Sequence, residues 1–152
     1  MKNRKRGFSL VELLIVLAVI AALIATITPV ALNAIKKAKA TQVAQNLKTL
    51  ASAFENGLYV SGADFLTGLS IGNLGRDIKT DEYAVYYTAS SGSYTANIVY
   101  KGDGDITLIS GTLSEAKAGT FTSVSTGYNA LTGTGWTNPS NVIYYQISFN
   151  VY

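Results

Sequence analysis

The sequence predicts an α+β fold in which one long N-terminal helix, half hydrophobic and half amphipathic, packs on an antiparallel β-sheet. Three observations predict it. Residues 13–32 form a run of twenty side chains without a charge, about 30 Å as helix, which matches the hydrocarbon core of a bilayer. Val43, Leu47, Leu50, Phe54 and Leu58 then recur at spacings of three and four, which places them on one helical face. At the C-terminus Ile143, Tyr145, Ile147, Phe149 and Val151 alternate with Tyr144, Gln146, Ser148 and Asn150, so one apolar strand face can cover that helix.

The elements follow in chain order. Residues 1–7 carry four cations, Lys2, Arg4, Lys5 and Arg6, and stop at Gly7. A single helix is predicted over residues 8–56, roughly 74 Å long. Residues 8–32 form its hydrophobic half, and residues 33–56 its amphipathic half, with Lys36, Lys37, Lys39, Gln45 and Lys48 off the apolar face. Pro29 removes a backbone donor and crowds the preceding turn, so a kink is expected there, with Thr26 and Thr28 able to bond freed carbonyls. Gly57 fits a C-cap. Residues 57–82, with Gly57, Gly62, Gly68, Gly72 and Gly75 among scattered apolar side chains, read as an ordered connecting loop with a short helical turn.

Residues 83–152 read as the sheet head. Residues 83–89 and 94–101 flank Ser-Ser-Gly-Ser, a hairpin signal, and residues 106–110 and 120–125 are further strand candidates. Abundant Thr and Tyr suit exposed sheet faces. Residues 126–141 are polar and Gly-rich around Trp136.

The composition excludes several chemistries. The chain has 152 residues, enough for one domain and a membrane element, with no His and no Cys. That removes Ser-His-Asp and Cys-His nucleophiles, thiolate sites, histidine metal ligands and disulfides. No cofactor is expected, and the chain does not read as an enzyme. A cleavable secretory signal competes for the N-terminus, since residues 18–25 could imitate a small-x-small cleavage site. The uncharged run is of spanning length, however, and the basic residues ahead of it place the N-terminus in the cytoplasm. Glu12 is the feature that an ordinary anchor leaves unexplained. A lone carboxylate near the start of a lipid-compatible segment is costly, about 2.5–3.5 kcal/mol at mid-bilayer, and is by default functional.

A basic leader, Gly7, then Phe8 and Glu12 four residues apart resembles the class III signal and N-terminal helix of type IV pilins and pseudopilins. The resemblance covers residues 1 to about 56 and is architectural beyond. It implies that a prepilin peptidase cuts after Gly7 and that the new amino terminus, on Phe8, is methylated. It also implies that Glu12 neutralises the amino terminus of a neighbouring subunit in a dry filament core. Helix geometry would aim the amino group of Phe8 along the axis, away from its own Glu12. The family commonly carries a glycine earlier in the span, where this chain has Ala21. Cutting after Gly7 leaves 145 residues and moves the formal charge from +3 to −1, which removes any nucleic-acid reading built on basicity.

The resemblance implies a structural subunit of a type IV pilus-like extracellular filament. Its partners would be copies of itself, other pilins or minor pilins, the prepilin peptidase and the inner-membrane assembly machinery. It would cross the cytoplasmic membrane once before assembly and then join the cell-surface fibre. The alternatives are a pseudopilin of a type II secretion or competence system, and a single-span membrane-anchored binding module. Adhesion, twitching, DNA uptake and secretion are not distinguished.

Other candidates are weighed on their chemistry. Asp103 and Asp105, in Lys101-Gly-Asp-Gly-Asp, offer oxygens at i and i+2 like a fragment of a calcium loop. Two carboxylates are too few, and a tight turn is the reading. Thr132-Gly-Thr-Gly-Trp lacks the Lys-Ser/Thr of a phosphate loop. Trp136 is expected to pin a long loop rather than to stand as an adhesive aromatic. Asp77, Asp81 and Glu82 read as a solvated acidic run rather than a carboxylate pair in a cleft.

Overall fold

The computed structural model describes residues 7–152, so residues 1–6 of the basic leader, with Lys2, Arg4, Lys5 and Arg6, lie outside the described residues. The chain divides into two compact units at Lys37 and Ala38. Helix α1 runs Leu10–Ser61. In the first unit every described residue from Gly7 to Lys37 is exposed. The segment is long and apolar enough to cross a membrane. The helix continues through Pro29. Thr26 Oγ1 donates to the carbonyl of Leu23 at 2.9 Å and Thr28 Oγ1 to that of Ile24 at 2.7 Å. These back-bonds fall just short of Ala25, the carbonyl that Pro29, lacking an N–H, cannot reach.

The second unit, from Ala38 to Tyr152, is an α+β domain of pilin-like design, with the short helix α2 (Ile71–Leu74) in its connecting segment. Its five-stranded antiparallel sheet has the order β3-β5-β2-β1-β4, built from β1 (Tyr83–Ser90), β2 (Ser93–Tyr100), β3 (Lys117–Thr120), β4 (Asn129–Leu131) and β5 (Asn141–Asn150). Ser91 and Gly92 both take positive φ, 49° and 82°, the two-residue turn whose twist matches a hairpin. The expected helix stripe is the buried one: Val43, Leu47, Leu50, Phe54 and Leu58 are 0–3% exposed. Opposite them lie Val85 of β1 and Ile98 and Tyr100 of β2, with Ile143 and Phe149 of β5. The other sheet face carries a smaller core, with Ala84, Tyr86, Val99 and Val142 under Val124. There the buried Asn97 donates Nδ2 to the carbonyl of Val124 at 2.9 Å.

Three elements differ from expectation, each for a local reason. The helix passes through Gly57 to Ser61, and the glycine at positive φ beyond its end is Gly62, at 57°. Gly57 is needed for another purpose: a Cβ there would run into the ring of Phe65, which the 3-10 turn Gly62–Leu66 folds back onto the helix. Residues 106–110 form helix α3 (Ile106–Ser110) rather than a strand, because Asp105 caps it by accepting the N–H of Thr107 at 2.9 Å. The helical turn places Ile106 and Ile109, three apart, toward the core. Residues 120–125 divide into the end of β3 and helix α4 (Phe121–Ser125), where Ser123, Ser125 and Thr126 bond back to carbonyls three or four residues earlier. The Gly-rich stretch after it also holds the short edge strand β4.

Candidate processing and assembly site

The N-terminal site is built by the first turn of α1. Gly7 and Phe8 precede the helix, and no atom lies within 4 Å of a Cβ placed on Gly7. Phe8 is 79% exposed. The first helical bond runs from the N–H of Leu13 to the carbonyl of Ser9 at 3.3 Å, so Ser9 is the N-cap. Its hydroxyl accepts the N–H of Glu12 at 3.3 Å, and the Glu12 carboxylate accepts the N–H of Ser9 at 2.8 Å. This is a reciprocal capping box that occupies two donors the helix start leaves orphaned.

The box refines the expectation for Glu12. Its carboxylate does not project sideways unpartnered. It folds back to the peptide joining Phe8 to Ser9, where the partial positive charge of the helix start also favours an anion. Sequence reasoning missed this, although Ser9-x-x-Glu12 ahead of an apolar run is its signature. Among the described residues Glu12 is the sole ionisable group between Gly7 and Lys36.

The remaining candidates lie in the head. Gly102 and Gly104 allow the chain to cross the ring of Tyr100: a Cβ on Gly102 would strike its hydroxyl, and one on Gly104 would sit 2.9 Å from Ile109 Cδ1 and 3.2 Å from Tyr100 Cε1. Asp105 is occupied as the cap of α3, while Asp103 is exposed. Among the described residues no three His, Cys, Asp or Glu side chains form a group able to hold a metal ion. Trp136 pins its loop, donating Nε1 to the Tyr86 hydroxyl at 3.1 Å, with the ammonium of Lys101 5.3 Å from its ring centre. Lys101 Nζ also donates to the carbonyl of Gly135 and to Thr137 Oγ1.

Of the acidic run, Glu82 pairs with Lys79 at 3.0 Å and Asp77 takes a left-handed backbone, φ 61°. Asp77 and Glu82 border a cleft of about 110 Å³ with Lys39, Tyr83 and Tyr100. Burial pushes the Tyr83 hydroxyl up to about 12, against an opposing bond from Asn46, and raises that of Tyr100 as well.

An apolar helix half, exposed from Leu10 to Lys37 and headed by Gly-Phe-Ser-x-x-Glu, is the observation that decides the family signature. The chain carries a prokaryotic N-terminal methylation motif. The family model of that description matches residues 2–28, the class III signal of type IV pilins and pseudopilins. No curated protein and no solved structure matches the chain. The methylation motif together with the pilin-like head supports a type IV pilin-like or pseudopilin protein, a structural class that anchors in the membrane and assembles with other pilins after processing.

Proposed function

We propose that the protein is a structural subunit of a type IV pilus-like extracellular filament, assembled through its N-terminal helix after cleavage between Gly7 and Phe8 and methylation of Phe8. The observation that carries this reading is the methylation motif at the head of a helix half whose large apolar side chains stand 46–79% exposed from Phe8 to Ile35. Such a surface needs lipid or other helices to cover it. A bilayer covers it before assembly, with the N-terminus in the cytoplasm, and neighbouring copies cover it in the fibre. A pseudopilin of a secretion or competence system is the nearest alternative; a membrane-anchored binding module lacks a reason for the motif.

Glu12 would act at two stages. Within the membrane its carboxylate is held by Ser9. In the fibre the freed amino group of Phe8, on a neighbouring copy, would be its cation, and a copy docked at the wrong height would leave charges unpaired in a dry core. Glu12→Ala should therefore still insert and be cleaved, yet fail to enter fibres when it is the cell's only copy. Immunoblots of sheared and membrane fractions test this. Normal fibre yield would remove Glu12 from assembly.

A further inference from the structure

Charge is distributed unevenly along this chain. Helix α1 carries four lysines against two glutamates, with no acid between Glu12 and Glu55; from Gly62 onward seven acids face four bases. Lys36, Lys37 and Lys39 form a basic collar immediately after the apolar run, and Lys36 and Lys39 are exposed and make no ion pair among the described residues. Among the head's acids Glu82 is paired with Lys79 and Asp105 caps α3, but Asp103 is exposed and makes no ion pair among the described residues.

Asp103 also borders an open groove of about 260 Å³, between the turn after β2 and the start of β5. Ile106, Ala118 and Ile143 supply apolar wall, while Asp103 and Asn141 supply oxygens. Gly102 and Gly104 line its turn side. Lys101 borders it too, but its ammonium is held by Gly135, Thr137 and the Trp136 ring. An open groove of mixed lining, with a carboxylate beside apolar wall, suits a lysine, which lays its methylene stem along the wall and presents an ammonium at the end.

We propose that this groove receives the basic collar, Lys36 and Lys39 foremost, of a second copy of the chain. The inference rests on the filament reading and names one of its lateral contacts. A collar on one copy meeting a groove on the next is a heterologous contact, so it propagates along a fibre instead of closing into a dimer. Charge complementarity at such a contact sets register and rejects wrong neighbours.

A charge swap tests it in cells whose only copy is the variant. Asp103→Lys, and separately Lys36→Glu with Lys39→Glu, should each insert and be cleaved normally but lower sheared-fibre yield about ten-fold, since like charges then face each other. All three substitutions in one chain restore opposite charges and should return most of the yield. Asp103 is exposed and forms no hydrogen bond or ion pair among the described residues, and the membrane-fraction signal checks for loss through misfolding. Normal yield from either part alone, or no recovery in the combined variant, overturns the proposal while wild-type fibres leave the filament reading intact. Absence of wild-type fibres overturns both. If chelating calcium dissolves purified wild-type fibres, and Asp103→Asn does the same, the groove is a cation site and the lysine proposal falls.

Discussion

Replacing Gly57 with alanine sets two effects of opposite sign against each other. Alanine in a helix interior is favoured over glycine by about 0.5–1 kcal/mol, because glycine loses more freedom on folding. Gly57 lies four residues inside the end of α1 at Ser61, and the added methyl would run into the ring of Phe65. Forcing a methyl into a packed contact typically costs about 1–3 kcal/mol. The ring is only partly buried and can give some ground. Packing should still win, for a net loss of about 1 kcal/mol, or roughly 4 °C in melting temperature for a unit of this size.

The Phe65→Ala background removes the obstacle. There Gly57→Ala should raise the melting temperature by about 2–4 °C, giving a coupling near 2 kcal/mol. Thermal unfolding followed by circular dichroism, on a soluble chain starting near Lys36, measures all four members of the cycle. A methyl that stabilises the wild type, or that destabilises equally in both backgrounds, would refute the reasoning; the second result would return Gly57 to a C-cap role.

Two further outcomes are expected of the same soluble head. Phe54 is fully buried, with ring centres of Tyr87 and Phe149 at 5.5 and 6.4 Å, so Phe54→Ala should cost about 3–5 kcal/mol, a large part of a typical total; an unchanged melting curve would show the docking face to be wrong. Tyr83 titrates at about 12 in the fold against 10.0 unfolded. Its contribution is therefore complete below pH 10 and lost as pH rises toward 12, since the unfolded chain releases the proton first. Stability measured by denaturant should fall across that window, and Tyr83→Phe should flatten the fall; an identical slope in both would contradict the burial argument.

Elements with strong periodicity are legible in the sequence. The stripe from Val43 to Leu58, the alternation in β5 and the Ser91-Gly92 hairpin each follow from a repeat or from a glycine required at positive φ. What escapes is decided by contacts distant in sequence or by single side-chain bonds. That Gly57 serves a close contact inside α1 shows only through Phe65, eight residues later. Ile106-Thr-Leu-Ile-Ser has the β-branched composition of a strand, and its helix depends on one carboxylate, Asp105. β4 is three residues long and exists through its pairing with Val85, Tyr86 and Tyr87. At the N-terminal site Gly7, Phe8 and Glu12 stand out as motif letters. The Ser9 cap shows only when the same letters are read as hydrogen-bond donors and acceptors.

The central claim is that this chain is processed at Gly7 and built into a fibre through what remains. Intact-mass measurement of subunits from sheared surface fibres tests it most directly. A 145-residue species beginning at Phe8 and carrying one added methyl group is expected. A surface species that retains Lys2 to Gly7, or fibres that lack this chain altogether, would contradict it.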